Sequence, residues 1–138
     1  MSGLGDGYRN HVLDALFGAG FTKPATVYVA LLSTAITASN GTSGVELSGS
    51  GYARVSVVNN GTKFGPAATG ILYNLATISF PTVTGSSWLS TAGFAVYDDA
   101  TSTAAVNLML WGVISTPRVF TVGQTAAFDP GSLIAVVA

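Results

Sequence analysis

The sequence has 138 residues, a single histidine, no cysteine, 8% charged side chains and a net charge of −1. Its length fits one domain over residues 1–138, and the lack of cysteine excludes disulfides and thiolate metal or redox sites. Ordinary soluble domains carry about 25% charge, so a 49% hydrophobic chain with so little is expected to have part of its surface covered in a homo-oligomer, a dimer or a trimer.

The basic residues Arg9, Lys23, Arg54, Lys63 and Arg118 are scattered and form no stripe. Nucleic acid is therefore not expected as a partner, since phosphate binding needs clustered positive charge. The N-terminus lacks the basic and long apolar stretches of a secretory signal. No segment approaches the roughly 20 uninterrupted apolar residues of a membrane helix. No membrane partner is expected, and the chain is expected to be made in a cytoplasm.

In chain order, "GLGDG" at Gly3–Gly7 stands before a helix, where phosphate loops lie. It lacks the preceding strand and the Lys-Ser/Thr of a P-loop, so a flexible lead is expected. "DGYRNHVLDALFGAG" reads as one short helix, with Asp6 as N-cap, an apolar stripe of Tyr8, Val12, Leu13, Leu16 and Phe17, and Gly18 or Gly20 as the left-handed stop. After Pro24 the pattern turns to short runs bounded by turn residues. "ATVYVALLST" is apolar enough for burial on both faces. Residues 35–51 form a polar loop with a turn at Asn40-Gly41, the expected mobile or partner-binding arm. "YARVSVVN" reads as a strand with Ala53, Val55 and Val57 on the core face. "ILYNLATISFP" is a strand stopped by Pro81, "LSTAGFAVYD" and "VNLMLWGVIS" form a hairpin, Pro117 interrupts, and "RVFTV" and "TAAFDPGSLIAVVA" complete the sheet. Even spacing predicts a mainly β fold, an antiparallel β-sandwich or open barrel of six to eight strands with one short N-terminal helix.

The chemistry-bearing residues are few. His11 lies three positions before Asp14, a spacing that places both on one helix face, but a lone histidine with one carboxylate reads as a surface or packing pair. No serine stands in a G-x-S-x-G elbow. Asp98-Asp99 ends a strand and opens a turn, which Asp does by bonding its own backbone. No enzyme activity, metal or cofactor is expected. Both faces of the Phe94–Tyr97 and Leu108–Val113 strands are apolar, with Leu108, Leu110 and Gly112 opposing Met109, Trp111 and Val113. One face of this hairpin therefore lies under the helix or meets another subunit. The residues expected at an interface are Tyr52, Arg54, Trp88, Tyr97 and Trp111, with Arg54 either at the interface or paired internally with Glu46 or an aspartate.

The order "NHVLDALFG", "PATVYVALLST", "VELSGSGYARVSV", "ISFP", "W", "AGFAVYDDAT" and "NLMLWGVISTPRVFTVGQ" resembles a family of small tailed-bacteriophage virion proteins, known as tail fibre or decoration proteins. The resemblance spans nearly the whole chain. It implies a structural component of the virion, assembled in the host cytoplasm, with no catalytic residues to carry over. On this reading the first expectation is a capsid decoration or cement protein bound to the major capsid protein. The alternative is a tail or fibre component, an adaptor or receptor-binding tip contacting tail proteins or host glycans through Trp88, Tyr97 and Asp98.

Overall fold

The computed structural model describes residues 1–18 and 20–136. In chain order the elements are β1 (Ser2–Leu4), α1 (Asp6–Phe17), β2 (Thr26–Thr34), β3 (Val45–Glu46), β4 (Val55–Val58), β5 (Ile71–Tyr73), β6 (Ile78–Thr82), β7 (Thr91–Tyr97), β8 (Leu108–Arg118), β9 (Thr125–Phe128) and β10 (Ile134–Val136), with one 3₁₀ turn at Ala105–Asn107. The apolar run of β2 takes the centre of the main antiparallel sheet, ordered β1-β8-β7-β2, with β3 and β4 both pairing β2 along its far edge. Two antiparallel ribbons, β5–β10 and β6–β9, pack against it, and the sheets stay open as a sandwich. The mainly β antiparallel class expected from the sequence is the one observed. Ten strands stand among the described residues rather than six to eight, because segments of two or three residues pair as well.

The period of two sorts the central strands onto two apolar faces. On one face Val27, Val29 and Leu31 of β2 join Phe94 and Val96 of β7, and meet Ile78, Phe80, Trp88, Ala126 and Leu133. On the other, Ala30 and Leu32 join Ala95, Tyr97, Leu108 and Trp111. Burying side chains of this size stabilises the fold by about 1.5–3 kcal/mol each. The second face is closed from within the chain. Ile36 is fully buried against it, and Val45–Glu46 pair with β2. Residues 35–51 are therefore a folded-back cover and not a projecting arm.

A bulge corrects the facing of β8. Val96 pairs with Leu110 but Tyr97 pairs with Leu108, so Met109 is the extra residue. Met109 and Leu110 both pack toward the first core, while Leu108 and Trp111 share the second. A larger irregularity follows. Gly93 pairs with Val113 and Thr91 with Arg118, so residues 114–117 stand opposite Ala92 alone. Pro117, expected to interrupt the strand, lies in this bulge, where no ladder N–H is required. Pro81 likewise does not stop β6, which runs to Thr82 across a register shift.

Residues 2–4 are not a flexible lead. They pair with β8, Gly3 opposite Trp111, and Gly5 donates to the Met109 carbonyl. A Cβ on Gly5 would overlap the Leu108 backbone carbonyl, so glycine permits this close approach. Gly5, not Asp6, is the N-cap, in extended backbone, because this contact fixes where the helix starts. Gly18 ends the helix in the left-handed conformation, its N–H bonded to Asp14 O.

Candidate functional site

The stretch from Gly49 to Gly51 holds three successive residues at positive φ, 72°, 48° and 79°. This tight reversal turns Tyr52 inward and delivers Arg54 to the sheet edge before β4 begins at Val55. Ala53 is consequently exposed, outside the strand alternation, and not on the core face. Tyr52 packs edge-on to Trp88 at 5.5 Å, and its hydroxyl accepts from the Leu31 N–H at 2.9 Å and donates to Glu46 Oε1 at 3.0 Å. The phenol thereby serves a β2 amide lying between the segments paired with β3 and β4.

Arg54 uses every donor it has. Nε and Nη2 fork onto Glu46 Oε1 and Oε2 at 2.8 and 2.6 Å. Nη1 donates to the Asp99 and Ser102 carbonyls at 2.7 and 3.0 Å, and Nη2 to Thr101 O at 3.5 Å. The guanidinium carbon lies 4.1 Å from the Tyr97 ring centre. The Arg54 and Glu46 side chains are 4% and 16% exposed. Burial disfavours the cation, but the Glu46 hydrogen bonds and charge outweigh it and hold Arg54 above its usual range. Burial and then the Glu46 charge push the Tyr52 phenol well above the ordinary tyrosine value. The cluster is an internal clamp that fastens the β7–β8 turn to β3. Arg54 pairs internally, as one of the two sequence expectations had it.

The Asp98-Asp99 pair completes this clamp. Asp99 Oδ1 accepts from the Thr101 and Ser102 N–H groups at 2.8 and 2.7 Å, and these bonds lower its pKa. Asp98 accepts from Asn107 Nδ2 at 2.7 Å and from the Tyr8 hydroxyl at 2.6 Å, tying α1 to the turn. Burial, then the Asp98 bond, raises the Tyr8 phenol well above its ordinary value. Both carboxylates are committed to holding the fold.

The remaining expected residues are internal too. Trp88, Tyr97 and Trp111 are 3%, 4% and 4% exposed. Trp88 Nε1 donates to Ser50 O at 3.0 Å, whereas the buried Trp111 Nε1 has no partner. The five residues belong to two opposite faces of one sheet plus its edge, and make no continuous outer surface. A glycan platform of Trp88, Tyr97 and Asp98 is not presented, because both rings are packed inside the domain. His11 stacks on Phe21 at 4.5 Å and meets the Tyr8 ring edge-on at 5.1 Å. No cluster of three or more His, Cys, Asp or Glu residues stands among the described residues.

Three features escaped the sequence reading. Asn74 is fully buried; its Nδ2 donates to Ala76, Phe128 and Asp129 carbonyls and its Oδ1 accepts from Leu133 N–H. Its one sequence signal is an amide inside the apolar run "ILYNLATISF". A cleft of about 490 Å³ opens between the β8 bulge and β9, with Phe80 and Phe94 at its floor and Arg118 and Asp129 on its wall. Finally, α1 buries only Tyr8, leaving Val12, Leu13, Leu16 and Phe17 at 44, 54, 70 and 83% exposed. This exposed apolar face of α1 is outer surface of the kind a partner can cover.

Residues 3–135 match the family model described as Podophage GP4 fiber I protein gp80. The chain belongs to this family. Members of the fibre I family are phage virion structural proteins, so the chain is part of a virion, as the resemblance implied. No curated protein matches the chain. The match covers β1 through β10 up to Ala135, including the clamp, both faces of the central sheet and α1.

Proposed function

We propose that the chain is a structural component of the phage tail-fibre apparatus, joining other tail proteins rather than coating the capsid. The observation that carries this is the fibre description of a family matched across residues 3–135. It favours the fibre placement over the decoration of a major capsid protein that the sequence suggested first. The role is mechanical. Apolar faces buried on both sides of the central sheet and a turn fastened by Arg54 give a pre-formed domain whose outer surface is spent on partners. Catalysis has no part in it: His11 is engaged in an aromatic stack, and the adjacent acids Asp98 and Asp99 each hold backbone or side-chain donors. Host-cytoplasmic assembly belongs to the same reading.

Gold-labelled antibody against the chain, imaged on intact particles, tests the placement. Label confined to the tail or its fibres is expected. Label spread evenly over the head would overturn the fibre placement in favour of decoration.

A further inference from the structure

We propose that two copies of this chain associate through the outer face of α1, the helices lying antiparallel about a two-fold axis near Leu13 and Leu16. The inference concerns self-association and stands whether the protein sits on the tail or the head.

The face is unusual for a helix on a domain of this size. A surface helix normally turns its apolar stripe toward the core. Here the inward side is Tyr8, and Val12, Leu13, Leu16 and Phe17 point outward. Arg9, Leu13 and Leu16 follow the i, i+4, i+7 spacing of one helix line, flanked by Val12 and Phe17. With whole side chains of this class offering ~150–250 Å² when aromatic and somewhat less when aliphatic, the four exposed residues present roughly 400–500 Å² of apolar surface.

That area is compatible with a second copy. A two-fold contact uses the same patch twice, so two helix faces bury at most roughly 800–1,000 Å², which reaches the lower limit for a specific interface. The charge pattern fits a second copy as well. The last turn of α1 carries no basic residue, leaving its C-terminal carbonyls without a cation, while Arg9 stands on the apolar line near the other end, where its only ion pair is an exposed one with Asp6 at 3.7 Å. An antiparallel copy brings each Arg9 beside the partner helix's C-terminus, where a cation is favoured. With a net charge of −1, two chains meet without appreciable repulsion.

Sedimentation analysis of the purified full chain across a dilution series tests this, together with the double variant Leu16→Ser/Phe17→Ser. Both positions are exposed, so the variant is expected to keep the wild-type circular dichroism and melting profile. Wild type is expected as a dimer, with the dissociation constant of the variant weakened by at least ~100-fold. Because the sequence has no cysteine, Leu13→Cys supplies one thiol near the axis and Thr62→Cys one in a remote exposed loop. Oxidation is expected to give covalent dimer from the first and not from the second. A wild type that stays monomeric at every concentration overturns the proposal, including the case where it binds a different virion protein through this face. An oligomer unchanged in the double variant, or equal cross-linking from both thiols, overturns it too.

Discussion

Arg54 and Glu46 meet through two parallel hydrogen bonds of 2.8 and 2.6 Å, and the guanidinium's remaining donors hold three carbonyls of the turn at residues 99–102. In a chain with so few charges, this pair closes the sheet edge at the point where β2 passes from β3 to β4.

Removing one partner of a buried, fully bonded pair strands the other. Arg54→Ala is expected to cost about 3–5 kcal/mol in chemical denaturation. The double variant Arg54→Met/Glu46→Leu is expected to lose less than Arg54→Ala alone, since no uncompensated charge remains. Additive losses in the double-mutant cycle would show that the two residues act separately.

The buried phenols set the alkaline limit. In the unfolded chain tyrosine ionises near pH 10, whereas burial beside Glu46 keeps Tyr52 protonated to higher pH, and burial beside Asp98 does so for Tyr8. The folded state thus retains protons that the unfolded state releases. The stability these groups contribute is complete below about pH 10 and falls as pH rises from there through the folded values. Denaturation midpoints measured from neutral to strongly alkaline pH should decline above about pH 10. Tyr52→Phe should lower the neutral plateau, through its two lost hydrogen bonds, while flattening that decline. An unchanged alkaline slope would remove Tyr52 from the explanation.

On the acid side the sign reverses. Turn amides lower the Asp99 pKa, so its contribution is present above the unfolded value near 3.9 and is lost as pH falls through the lower folded value. Asp99→Asn should reduce the acid dependence of unfolding, and an identical acid profile would refute that.

Gly112 lies beneath the Phe94 ring, and a Cβ there would overlap it. Phe94 is buried in the first core and cannot swing outward. Gly112→Ala is expected to destabilise by about 1–3 kcal/mol through overpacking, with part of the loss recovered when Phe94→Leu is added. A thermal melt showing no loss for the single variant would contradict the packing.

Asn74 joins the end of β5 to Phe128, Asp129 and Leu133 through three side-chain hydrogen bonds, and a fourth holds the nearby Ala76 carbonyl. Asn74→Leu, similar in size, leaves the Leu133 N–H and three carbonyls without this partner, and about 3 kcal/mol or more of stability should go with them. Amide exchange should speed up most at Leu133, whose N–H the Asn74 carbonyl holds.

The legible part of the fold was the part governed by period and punctuation. β2, the β7–β8 hairpin, the left-handed Gly18 and the apolar character of both sheet faces all follow from local pattern. Contacts distant in sequence were not legible. That Gly3 and Leu4 of "GLGDG" join an edge strand depends on β8 more than 100 positions away, and that Ile36 seals the second core depends on how residues 35–44 fold back. Pattern also cannot count a bulge, so Met109 reversed the assumed facing of Leu108 against Leu110. Aromatic residues suggested an interface because large rings serve surfaces and cores alike. Here Trp88, Tyr97 and Trp111 went to the core, while the smaller apolar residues of α1 were left outside.

The fibre placement is tested most directly by absolute quantification of the chain in purified particles against the major capsid protein. On the order of ten copies per particle, matching the symmetry of a tail or fibre set, is the expected result. Hundreds of copies, in proportion to the capsid subunits, would contradict it.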